Sequence, residues 1–211
     1  MHKLLKQEYG ELHWWPAETV DQVILGAILT QNTSWNNVRL AMNNLSKAKL
    51  DSIDAIASLP VEEIKKYIKP AGFFNQKSVY LKEICTQIRK EGGISRLEKM
   101  SDKDIEAFLI KIKGVGKETM QDIMLYAFKR NVFVVDKYTE RLFSRIGIIK
   151  PGMKEAHRLG KEIENSMSLE DLNNFHGEIV EISKSICKAR PECEVCFLRN
   201  NCSYEKDFTE P

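Results

Sequence analysis

FLIKIKGVGKETMQDIMLYAF, residues 108–128, reads as a helix, a Gly-Val-Gly turn and a second helix. Glycine tolerates backbone angles that a side chain forbids, and it lets another molecule approach the main chain closely. Amides in such a turn, and in the first turn of the helix after it, lack partners inside the helix and favour an anion. Gly114, Val115, Gly116 and Lys117 are therefore candidates for holding a nucleic-acid backbone, whose phosphates position a protein without reporting base sequence. A tight connection between two packed helices would use the same residues.

Outside the turn, apolar residues recur at three- and four-residue spacing: Val20, Val23, Ile24, Ala27 and Ile28, then Val38, Leu40, Met42 and Leu45. Strand-like alternation is scarce, and the β-branched run VFVV at 132–135 is too short to build a sheet. The pattern predicts an all-α protein. Ser101 with Asp104 resembles a capping box. Asp136 precedes KYTERLFSRIG, with Gly147 as a helix stop, and Pro70 and Gly72 break one helix before another that is expected to open near Ser78. With 211 residues the chain can bury a core as one domain or two small lobes.

The longest apolar run, VILGAIL at 23–29, is too short to span a bilayer, and MHKLLKQEYG is too polar for a signal peptide. A cytosolic protein with no membrane partner is expected. The net charge of +2 neither demands nor excludes nucleic acid, since a local basic face suffices. Cys85 stands alone in a helical segment and reads as a buried thiol. Cys187, Cys193, Cys196 and Cys202 are separated by five, two and five residues. In a cytosolic chain that crowding reads as metal binding before disulfides.

Five ordered motifs resemble the endonuclease III superfamily of DNA glycosylases, the helix-hairpin-helix proteins. They are GAILTQNTSWNNV (26–38), IKPAGFFNQKSVYL (68–81), IKGVGKETM (112–120), VVDKYTERL (134–142) and the cysteine cluster. WWPAETVDQVILGAILTQNT (14–33) and FHGEIVEISK (175–184) resemble the 3-methyladenine glycosylase branch in particular. The resemblance implies two helical lobes with a cleft between them. Residues 20–130 would form the lobe with the hairpin, and 1–19 plus 131–211 a second lobe with a catalytic aspartate and an iron–sulfur loop. It also implies a monomer acting on damaged double-stranded DNA in base excision repair, in the nucleoid of a prokaryote.

Residue by residue, the resemblance places the catalytic aspartate at Asp136. A carboxylate at a helix N-terminus is stabilised by unpaired amides and the helix dipole, by about 0.3–2 kcal/mol. Such an anion would stabilise the positive sugar formed as a base departs, and orient the attacking water. Relatives that also cut the strand have a Schiff-base lysine eighteen residues before the aspartate, where this chain has Glu118. A carboxylate forms no imine, and Lys117 is rotated about 100° from that position. A glycosylase without lyase activity is expected.

Trp14, Trp15, Pro16 and Trp35 correspond to the family's base pocket, with Glu118 and Lys184 beside it. Indoles suit a cationic alkylated base, with cation–π energies of about 0.5–2 kcal/mol. Core packing is the alternative for any one tryptophan. Gln31 corresponds to a residue that enters the hole left by a flipped nucleotide, and His176 reads as an interhelix packing residue. The family's [4Fe–4S] loop usually has a first gap one residue longer than here, and four thiolates also suit structural zinc. Two rival functions remain: uracil or thymine removal from mismatches, and a non-catalytic DNA-binding module with a metal-stapled tail.

Overall fold

The computed structural model describes residues 1–12 and 14–204, which form twelve α-helices and no strand. They divide into two units: Met1–Trp14 with the chain from Asn131 onward, and Trp15–Arg130. Residues 15–19 thus lie with the hairpin segment. No helix among the described residues is long and apolar enough to cross a membrane.

In the Trp15–Arg130 unit, α2 (Val20–Leu29) is the central helix, and every residue from Val23 to Leu29 is buried. A helix apolar all round must be enclosed by others. The unit also holds α3 (Trp35–Lys47), α4 (Ile53–Ser58), α5 (Val61–Ile68), α6 (Phe74–Glu91), α7 (Ile94–Leu97), α8 (Asp102–Leu109) and α9 (Lys117–Asp122), of which α3, α6 and α9 pack on α2 and α4 and α5 pack on α6. α9 continues as a π-helical turn over Ile123–Ala127, which packs on α2. The Ser101 cap is formed: its hydroxyl accepts from the Asp104 amide at 3.2 Å and donates to the Asp104 carboxylate at 2.6 Å. α6 opens at Phe74 rather than near Ser78. A 3₁₀ turn over Lys69–Ala71 and left-handed Gly72 and Phe73 reverse the chain earlier than proline and glycine alone suggest.

The other unit holds α1 (His2–Tyr9), α10 (Lys137–Ile146), α11 (Met153–Ser166) and α12 (Leu169–Ser185). α1 and α10 both pack on α12. Val132–Val135 forms a buried lead into α10 that is neither helix nor strand. Phe133, Phe143 and Phe175 stack around its start, with centroids 5.5–6.3 Å apart. Gly147, at φ 89°, ends α10. Beyond α12 the described residues form only short 3₁₀ turns, Cys193–Val195 and Arg199–Asn201.

Candidate functional site

Asp136 caps α10. Its Oδ1 accepts the Thr139 amide at 2.7 Å, and Oδ2 stands 3.8 Å from His176 Nε2. The aspartate is 7% exposed and the histidine 5%. Burial alone would raise the carboxyl pKa. The hydrogen bond and charge of His176, together with the Thr139 amide, outweigh burial and hold it below the ordinary carboxylate range. The group is therefore a fixed anion at neutral pH. His176 thus faces Asp136 as well as packing between helices, a role its sequence context did not reveal.

α12 also positions Trp14. A Cβ at Gly177 would fall 2.8 Å from Trp14 Cβ, so glycine permits that approach. Lys184, two turns further along and exposed, places its ammonium 5.0 Å from the centroid of the Trp14 ring and 6.0 Å from that of Tyr138. The segment leading to Trp14 is fastened by Asn174, which donates to Gly10 O at 3.0 Å and accepts from Leu12 N at 2.8 Å. Asn174 also donates to fully buried Glu178 at 2.6 Å, and Glu178 lies 3.6 Å from His2. Burial pushes the Glu178 carboxyl up to about 7. The fastening of Gly10 and Leu12 by Asn174 was not foreseen, because those partners lie more than 160 residues away in sequence.

In the other unit Trp15, half-buried, meets Trp35 edge-on at 5.4 Å and Tyr126 at 4.8 Å, and lies over Gly26. Trp15, exposed Pro16 and Trp35 border a recess of about 270 Å³. In the hairpin, Gly114 has φ 92°, and a Cβ there would sit 2.2 Å from the Tyr80 ring. Tyr80 thus supports the turn from below. Gly116 caps α9 without any side-chain hydrogen bond, Val115 is buried, and Lys117 and Glu118 are exposed. Gln31 donates to Gly114 O at 2.9 Å and to Thr119 Oγ1 at 3.0 Å, so its amide nitrogen braces the hairpin. Gln31, Asn32, Tyr80 and the hairpin border one recess. Phe73, missed in the sequence, is 64% exposed with φ 44°. A left-handed non-glycine residue is the signal that could have found it, and it becomes visible only in coordinates.

All four C-terminal cysteines line a recess of about 30 Å³ walled by Leu142, Ile146, Ile186 and Leu198. Arg141 and Arg145 on α10 hold its rim by donating to the carbonyls of Ser183, Cys187, Lys188 and Ala189. The donor set, four thiols with no carboxylate or imidazole, suits a thiolate-bound cluster or zinc. Among the described residues no group of three or more His, Cys, Asp or Glu side chains stands close enough to hold a metal ion. Cys85 is fully buried, and burial raises its thiol pKa.

A protein of Methanocaldococcus jannaschii, provisionally named a DNA repair glycosylase, is 41% identical over 208 residues, covering 96% of this chain and 94% of that protein. The structure of a Helicobacter pylori 3-methyladenine DNA glycosylase bound to 1,N6-ethenoadenine is similar with a TM-score of 0.74 and 30% identity, covering 87% of this chain and 96% of that one. A trapped endonuclease III–DNA covalent intermediate shares the fold with a TM-score of 0.80 at 19% identity, covering 99% and 95%. The family described as HhH-GPD superfamily base excision DNA repair protein matches residues 25–166, which include the hairpin and Asp136. With the glycine turn seated on Tyr80 and a buried aspartate capping α10, the chain belongs to the HhH-GPD superfamily of base excision DNA repair proteins.

Proposed function

We propose that this protein is a DNA glycosylase that hydrolyses the bond between deoxyribose and an alkylated purine of the 3-methyladenine type in duplex DNA, leaving the strand uncut. The single observation behind the reading is Asp136: a buried carboxylate kept ionised by Thr139 and His176 at the start of α10. As the N-glycosidic bond breaks, its electrons leave with the base and the sugar becomes cationic. A preorganised anion stabilises that state, and removing one such group typically costs about 10²–10³ in rate. Water then adds to C1′, and its proton passes to Asp136 or onward to solvent. A purine alkylated on a ring nitrogen is already cationic and leaves neutral, so no general acid is required.

Glu118, in the first turn of the hairpin helix, has the position that the family resemblance gives to the Schiff-base lysine of strand-cutting relatives. Trp14 in one unit, with Lys184 beside it, and Trp15 and Trp35 in the other are flat, electron-rich side chains that suit a cationic base, and Pro16 follows Trp15. The open amides of the hairpin bind phosphates. Gln31 and Phe73 enter the duplex where a nucleotide has been extruded, Gln31 exchanging its bonds to Gly114 and Thr119 for an orphaned base. Cys187, Cys193, Cys196 and Cys202 hold a [4Fe–4S] cluster that braces the C-terminal loop, with zinc as the alternative. The protein acts as a monomer.

A panel of duplexes containing 3-methyladenine, uracil or mismatched thymine tests the reading, scored for free base, strand breaks and borohydride-trapped adduct. Release of the alkylated purine with no break and no adduct is expected. Preference for uracil or thymine would overturn the substrate, and a trapped adduct would overturn the hydrolytic route.

A further inference from the structure

Lys77, the fourth residue of α6, is 2% exposed, and its ammonium donates to Leu29 O and Ala71 O, each at 2.8 Å. Leu29 is the last residue of α2 and Ala71 the last of the 3₁₀ turn. The cation therefore sits where two helical segments end and their carbonyl dipoles converge. Burial lowers its pKa to about 8, so it remains largely charged at neutral pH. Enclosing an ammonium is costly, and the two buried carbonyls it joins offset that cost.

Each of the two carbonyls belongs to the last residue before a surface loop. After Leu29 the chain enters the loop with Gln31 and left-handed Asn32, and after Ala71 it enters left-handed Gly72 and Phe73. α6 then reaches Tyr80, which seats Gly114. One buried side chain ties together the departure points of two loops whose tips are a hairpin-braced amide and an exposed aromatic.

We propose that Lys77 is a positioning residue that sets the spacing of the Gln31 and Phe73 loops so that both enter a single gap in the base stack of a DNA duplex. This rests on the glycosylase reading. The test compares affinity for a duplex containing a tetrahydrofuran abasic analogue with that for the undamaged duplex, in the full chain and in Lys77→Met. The wild type is expected to prefer the abasic analogue. K77M should lower that preference about tenfold, as for a lost coupling between two elements, with affinity for undamaged duplex unchanged. Lys77→Gln, which keeps a donor, should give an intermediate loss and decides the question if K77M does not fold. An unchanged preference in the folded variant overturns the assignment. So does an equal loss on both duplexes, which would mark a merely structural residue. Binding is read without base release, so a wild type that prefers the abasic duplex but excises nothing would overturn the glycosylase reading and leave this assignment standing.

Discussion

Two helix starts in this protein use the same physics in opposite ways. α9 begins at Gly116, a cap residue with no side-chain hydrogen bond, whereas α10 begins at Asp136 with its carboxylate already on the Thr139 amide. The first is left open by its cap residue, and the second is closed by an anion of its own. The open start is exposed at Lys117 and Glu118, while the closed one is buried together with His176. An open terminus suits binding of a backbone that carries no base information, and a closed, buried one suits a fixed charge for chemistry.

The sharpest way to break this contrast is Asp136→Asn. Asparagine still caps a helix, so folding and duplex binding should persist while single-turnover excision falls by about 10²–10³. A variant that excises normally would remove chemistry from the closed terminus. Next in size is Gly114→Ala at the open one. A methyl group there meets the Tyr80 ring and a left-handed backbone, a strain of about 1–3 kcal/mol. Urea titration should show that loss, and gel-shift assays should show weaker duplex binding. Unaltered binding would mean the hairpin is only a connection.

A smaller effect tests what keeps the closed terminus ionised. The folded pKa of Asp136 lies below its unfolded value, so its stabilising contribution is present above the ordinary carboxylate range and is lost as pH falls through the folded pKa. His176→Gln should move the acid limb of the excision profile to higher pH. A limb that stays put would assign the low pKa to the helix terminus alone. The smallest effect concerns Glu178, which faces His2, Lys6, Glu11, Asp171 and Asn174, and whose folded pKa of about 7 lies above its usual value of 4.5. Its contribution is full below pH 4.5 and is lost as pH rises towards 7. The thermal-midpoint difference between wild type and Glu178→Gln should therefore shift in favour of the wild type as pH falls across that window. A flat difference would place the titration elsewhere.

What could be read along the chain was local. Apolar spacing predicted helices throughout, Ser101 and Asp136 announced caps three residues ahead of the amides they accept from, and Gly147 marked a stop. Each of these depends on backbone geometry within one turn, so neighbouring residues contain the whole interaction. The start of α6 escaped because left-handed Phe73 breaks the rule that such backbone belongs to glycine.

The supports of the site were decided by tertiary structure. Tyr80 lies 34 positions from the glycine it seats, Lys77 is 48 from Leu29, Gln31 is 83 from Gly114, and Asn174 is 164 from Gly10. Sequence alone determined that this is a helical protein with a glycine turn and an aspartate-capped helix. Which buried polar groups meet was settled only by packing, because a desolvated donor or acceptor must find a partner wherever the folded chain brings one within about 3 Å.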